Sequence, residues 1–492
     1  MSEPVRPTFS ISFLREALRK LRIPWPGGIV RPDGQEDGQE DGQEDGQEPA
    51  RDDDAERRRV QVAVIRRALK EGGVTAGPVE GTRPPRDDAD AHYLFRPGSA
   101  LVRDGEDFDR LARWLEERKD VFRSGFDREN DRSETKVRGL VRVQLPHRAD
   151  GADPVLATLA DVERDGILPP DALTPEHVVY VTVSSGRYCP ATEPEVPRTR
   201  KPWPPQACFD REIPDDEKVR VAVVDTGLWK PAIDSAESPW LEGDDVFADS
   251  EDLEQVVPSA IHEYAGHGTF VAGIISCVAP ETHIDVEGAL PHGGAVYEGD
   301  ICEQIEDALS ENNPHIVSIS AGSHTRGGHP MLSFVLLAQN NRFDERDDVL
   351  IVAAAGNDGN DEPFWPAAFA RSHRWVVSVG SVDPDQKVSD FSNYGKDWVS
   401  VYARGRDHVN AFPKGTYTCT EPPHKGQVRK FDGLAQWSGT SFSTPLVAGL
   451  IAAEMRDNGL SARAAWDAVA STATTVHDGR IGHDVRIVGP LT

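Results

Sequence analysis

The chain has 492 residues, with 54 Lys and Arg against 83 Asp and Glu and a formal net charge of -29. That length accommodates two or three domains, and the acid excess argues against nucleic acid or an anionic membrane surface as the main partner. No stretch of 18 apolar residues occurs, so nothing reads as a transmembrane segment; the first 28 residues also lack the apolar core and small-residue cleavage site of a secretory signal.

In chain order, residues 1–91 read as an N-terminal extension. Ile11, Leu14, Leu18 and Leu21 recur at helical spacing among Arg15, Arg19, Lys20 and Arg22, a short basic amphipathic helix suited to a partner protein or a membrane surface, or simply solvated. The fourfold DGQE repeat at 33–48 is too polar to bury anything and is expected to be a disordered linker. A helical piece, AERRRVQVAVIRRALKEGG, follows, with its arginines expected on a solvated face. Residues 92–185 alternate strand, helix, strand, helix, strand, a small α+β domain. Residues 186–212 are proline-rich and read as an exposed linker, either a cleavage site or a permanent spacer.

Residues 213–492 alternate strands and helices, the pattern of a parallel sheet with helices on both faces. Val221 to Val224 form a continuous apolar run, as in a strand buried on both sides. Asp225 ends it, at the strand edge where ligands and catalytic groups of open α/β sheets gather. His267 lies between Gly266 and Gly268, ahead of an apolar run from Phe270 to Ile275. A second buried strand breaks at Gly356 and delivers Asn357, whose amide NH2 suits an oxyanion. The stretch WSGTSFSTPLVAG reads as a tight turn entering a buried helix, with Pro445 in its first turn. It contains Ser441, a poor nucleophile until a neighbouring base takes its proton.

The motifs VAVVDTG, GHGTFVAGII, AAAGN and SGTSFSTPLVAG, in the order Asp225, His267, Asn357, Ser441, resemble the subtilisin-like serine peptidases over about residues 213 to 475. The resemblance implies an α/β fold with a subtilisin-like parallel sheet, preceded by a propeptide-like domain at 92–185. It implies a serine endopeptidase acting on protein or peptide substrates, with Ser441 as nucleophile, His267 as base and Asp225 orienting the imidazole. Asn357 and the Ser441 N–H would bind the oxyanion. Ser320, Ala321 and Gly322 would border the first specificity pocket, on a strand that pairs with extended substrate.

Two departures stand out. Ser443 replaces a common alanine, and a wide gap between Asn357 and Ser441 holds residues 403–433, read as an inserted surface loop or hairpin. No cofactor is required; calcium enters only through the resemblance, because the acids at 242–254 show no spaced ligand loop. The rival reading is a catalytically silent or tightly regulated component of an intracellular signalling or defence assembly, recruited through the N-terminal region. The cysteines at 189, 208, 277, 302 and 419 form no disulfide framework. Cys277 and Cys302 read as reduced core residues, and Cys189 with Cys208 could pair only if the linker folded back. These features point to a cytoplasmic protein, with unconventional export as the alternative.

Overall fold

The computed structural model describes residues 49–491 except 71, 80–81, 182–192 and 210. The readings of residues 11–22, of the DGQE repeat and of Cys189 lie outside the described residues. Helix α1 (Pro49–Ala68) comes first. It is followed by β1 (Thr75–Gly77), β2 (Tyr93–Arg103), α2 (Glu106–Glu117), β3 (Arg132–Glu134), β4 (Leu140–Gln144), α3 (Pro154–Arg164) and β5 (Leu173–Val181). The sheet order β5-β2-β4-β3 is antiparallel throughout, with β1 also on β2.

Alternation along the strands splits this sheet into two faces. Ala100, Val102, Val141 and Val143 pack under the apolar stripes of α2 and α3, against Phe108, Leu111, Leu115, Val155, Leu159 and Val162. Helix α3 starts where it does because Asp153 caps it, accepting from the N–H groups of Val155 (3.0 Å) and Leu156 (2.9 Å), with Pro154 in the first turn. Leu101 faces the other way and joins the core of the larger domain.

That larger domain is built on β6 (Val219–Val224), β7 (Val246–Phe247), β8 (Thr282–Glu287), β9 (Ala295–Tyr297), β10 (Ile316–Ile319), β11 (Ala321–Gly322), β12 (Leu350–Ala354), β13 (Val376–Val382) and β14 (Val401–Arg404). Strands β15 (His408–Ala411), β16 (Gly415–Thr418), β17 (Val428–Phe431), β18 (Leu434–Trp437), β19 (Thr474–Asp478) and β20 (His483–Ile487) complete it. Among the described residues the main sheet runs β19-β20-β14-β13-β12-β10-β6-β8-β7. Its pairs are parallel except β19 with β20.

The expected parallel sheet with helices on both faces is therefore present. Val221 and Val223 face α4 (His267–Val278) and α7 (Thr440–Asn458), while Ala222 and Val224 face α5 (Glu298–Glu311) and α6 (Leu332–Asn340). Each fully buried valine contributes roughly 1.5–3 kcal/mol, so the uninterrupted apolar run of β6 reflects two cores rather than one. Helix α8 (Ala462–Ser471) packs with α7.

Three segments carry more contacts than their sequence-based expectation. The arginines of α1 divide: Arg66 and Arg67 are exposed as expected, with Arg67 pairing to Glu263 (2.6 Å), whereas Arg57 is buried, its Nε donating to Pro422 O (3.1 Å), and Arg58 pairs with Asp358 (3.5 Å). Residues 193–209 are laid onto the larger domain, where the Tyr417 hydroxyl and Thr420 N–H both donate to Glu193 (2.9 and 2.6 Å). There too the Arg404 guanidinium sits 3.8 Å from the Trp203 ring centroid. Finally, 403–433 does contain the expected hairpin, β16–β17, but it also gives β15, paired with β18, and its Phe412, Tyr417 and Phe431 are core residues. For Arg57, Arg58 and residues 193–209 the partners lie far off in sequence, which local composition does not register.

Candidate active site

Asp225 leaves the C-terminal edge of β6 and is fixed by its own backbone, its N–H donating to Glu287 O at 2.9 Å. Its Oδ1 accepts from Thr226 N (2.8 Å) and lies 2.7 Å from His267 Nδ1. His267 opens α4, and the glycines on either side of it are steric requirements. Gly266 is left-handed (φ 75), where a Cβ would stand 2.2 Å from Pro413 Cδ; a Cβ on Gly268 would stand 2.6 Å from Gly227 O. The imidazole is then held by the Trp437 and Phe442 rings, each with its centroid 5.3 Å away.

Ser441 lies in the first turn of α7. Pro445 falls in the second turn, not the first as expected, and the displacement has a consequence. Pro445 has no N–H to give the Ser441 carbonyl four residues back. That carbonyl instead accepts from Ser320 Oγ at 2.8 Å, and Ser441 Oγ donates in return to Ser320 O at 3.2 Å. The reciprocal pair ties the start of α7 to the edge of β11. Asn357 is oriented from the same turn: its Oδ1 accepts from both Thr440 N and Thr440 Oγ1, at 2.9 Å each. With the acceptor end so engaged, the NH2 end is directed elsewhere. Asp225, His267, Asn357 and Ser441 are 0%, 1%, 0% and 2% exposed, so charge developing among them meets little water.

Glu254 escaped sequence reading because nothing local distinguishes it from its acidic neighbours. Its Oε2 accepts from Gly266 N at 2.7 Å, which braces the turn before His267. Burial pushes its carboxyl pKa well up, and the nearby Asp225 charge adds to this. Thr440 was likewise missed, although it stood beside Ser441 in the motif. Of the other acids of 242–254, Asp245 pairs with Lys218 (2.5 Å) and Asp252 accepts from Gly288 N (2.7 Å).

Ser320, Ala321 and Gly322 border a strand edge that the chain itself occupies. Strand β5 pairs antiparallel with β11, Val181 opposite Ala321 and Tyr180 opposite Gly322. On its other side Val178, Val179 and Tyr180 lie opposite Tyr297, Val296 and Ala295 of β9. An extended segment bound by backbone pairing between two edges is a peptide-recognition mode, here filled from within. Helix α1 covers the outer face of β5, with Val62 and Ile65 packed beside Val178 and Tyr180.

A parallel α/β sheet carrying an aspartate–histidine pair, with a serine in the first turn of the helix whose Phe442 packs on that histidine, is an arrangement compatible with a serine hydrolase. The family model described as "Subtilase family" matches residues 216–486, and the chain belongs to that family. It is 31% identical over 233 residues to the thermophilic serine proteinase of Bacillus sp. (strain AK1), covering 44% of this chain and 50% of that one. It is 30% identical over 254 residues to the intracellular serine protease of Paenibacillus polymyxa, covering 48% and 65%. With thermitase of Thermoactinomyces vulgaris the identity is 28%, covering 54% and 84%. The match thus spans about half to two thirds of the first two relatives. Among solved structures, the prenylagaramide maturation protease PagA aligns at 25% identity over 53% of this chain and 85% of that one, with a TM-score of 0.41.

Proposed function

We propose that this chain is a serine endopeptidase cutting protein or peptide substrates through an acyl-enzyme on Ser441, and that its own N-terminal domain holds it latent. The observation that carries the reading is the 2.7 Å Asp225–His267 contact beside a serine whose helix start is tied to the substrate strand. In this reading Ser441 gives up its bond to Ser320 O, passes its proton to His267 and attacks the scissile carbonyl, while Asp225 stabilises the imidazolium. The oxyanion is met by the Asn357 NH2 and the Ser441 N–H at the positive end of α7. Every group needed is supplied by the chain, so no cofactor enters the scheme.

Latency is supported by β5, which fills the edge that substrate would use. A tethered segment acts at an effective concentration on the order of millimolar, so even a weak contact stays mostly formed. Cytoplasmic action is supported by the free thiols of Cys208, Cys277, Cys302 and Cys419. No helix among the described residues is long and apolar enough to cross a membrane. Recruitment of a partner protein by the N-terminal region belongs to the same proposal. The test is peptide hydrolysis by the full chain before and after a protease nick within 186–207. A rise on nicking that Ser441→Ala abolishes is expected; equal rates before and after would remove the latency, and hydrolysis by the variant would remove the nucleophile.

A further inference from the structure

On the seam between the N-terminal domain and the larger domain, His92, His324 and Glu362 bring their ligand atoms together within 4.8 Å of one another. The two imidazoles are stacked, with centroids 5.2 Å apart and planes 12° from parallel. His92 Nε2 lies 2.7 Å from Glu362 Oε2. None of these residues takes part in the chemistry above. The strands place them: His92 immediately precedes β2, His324 follows β11 by two residues, and Glu362 lies five residues beyond Asn357.

His324 is the informative member. It is 2% exposed, and its Nδ1 donates to the Pro363 carbonyl at 3.1 Å. A carbonyl only accepts, so Nδ1 carries a proton and Nε2 is the nitrogen left for another partner. That buried Nε2 lies 3.2 Å from Asp358 Oδ2, a carboxylate that also pairs with Arg58 at 3.5 Å. With the Glu362 carboxylate close by, positive charge at Nε2, a proton or a metal ion, is favoured here. A backbone carbonyl fixing one imidazole nitrogen so that the other is offered outward is also how metal-ligating histidines are oriented.

We propose that His92, His324 and Glu362 bind a divalent transition-metal ion, zinc by preference, that clips the N-terminal domain to the larger one. Nitrogen and oxygen ligands at about 2.0–2.2 Å from a tetrahedral zinc ion lie roughly 3.3 Å apart, so the three ligand atoms need only small side-chain rotations to close on the ion. Glu362, at 49% side-chain exposure, has the freedom to make them, and water completes the fourth position. Any proton held between His92 and Glu362, or between His324 Nε2 and Asp358, leaves to solvent as zinc binds. The ion would bridge two segments that separate when β5 leaves the cleft, so zinc would favour the closed state. This effect on activity rests on the latency reading; binding itself does not.

The two are tested separately. Full-length Ser441→Ala protein is titrated with zinc chloride against a chromophoric chelator, and with cobalt(II) to read ligand-field absorption. One equivalent is expected, with affinity reduced at least about 10-fold by His92→Ala and by the conservative, exposed Glu362→Gln. Absence of stoichiometric binding, or binding unchanged in both variants, overturns the site. Hydrolysis by the intact active chain is then followed with added zinc and with excess chelator. Zinc should suppress it, the chelator should restore it, and His92→Ala should respond to neither. Tight binding with no change in rate would overturn the clip while leaving the site.

Discussion

The face alternation of β5 allows latency to be perturbed without touching a catalytic group. Val179 and Val181 point into the core of the larger domain with Tyr264, Leu290 and Ala321, whereas Val178 and Tyr180 point toward α1. Val179 is fully buried, and replacing it by alanine removes two methyl-sized groups. At about 0.8 kcal/mol each, plus a cavity contribution, the loss is roughly 1.5–3 kcal/mol. Because the side chain is buried by docking, most of that loss falls on the docked state and raises the undocked fraction about 10- to 150-fold. The assay is the initial rate of peptide hydrolysis by the intact chain, with mass spectrometry confirming that no cut has occurred. Val162→Ala serves as the control, since Val162 is also buried but lies on the inner face of α3, in the N-terminal domain's own core. The expected result is a large rise for Val179→Ala and little change for Val162→Ala. Identical rates for wild type and Val179→Ala, or equal rises in both variants, would refute the reasoning.

Asn357→Ala should lower turnover about 10²- to 10³-fold while leaving Ser441 reactive toward a phosphonate; loss of labelling together with turnover would assign Asn357 a structural role instead. Burial raises the Glu287 pKa from 4.5 to about 8, partly opposed by Gln304, with Asp285 and Asp252 adding to it. The folded state therefore keeps a proton that the unfolded chain releases. The stability this contributes is complete below about pH 4.5 and is lost as pH rises through about 8, by less than about 5 kcal/mol once residual solvent contact is counted. Denaturant titrations of Glu287→Gln should show a shallower alkaline decline than wild type, and parallel curves would contradict the assignment.

The site was legible where chemistry is local. Asp225 ends an apolar run, His267 sits between glycines whose absent Cβ atoms the packing demands, and Ser441 opens a buried helix. What could not be read there depends on register or on partners far away in sequence. Nothing near Arg57 or Arg58 announces Pro422 or Asp358, so two engaged arginines were grouped with their solvated neighbours Arg66 and Arg67. Pro445 was read as a first-turn residue, and only its true position shows why the Ser441 carbonyl is free for Ser320. The pairing of Val181 with Ala321 was open to expectation through family resemblance alone, since strand register is a property of the folded chain. Glu254 needed the burial of its carboxyl to be noticed.

The central claim is that Ser441 is the nucleophile of a peptidase whose cleft is filled by its own chain. The most direct measurement treats the full-length protein with a serine-directed phosphonate, before and after a nick within 186–207, and maps the modified residue by mass spectrometry. The account predicts modification at Ser441, faster after the nick, with labelling and hydrolysis both abolished by Ser441→Ala. Label on another residue, or wild-type hydrolysis by Ser441→Ala, would contradict it.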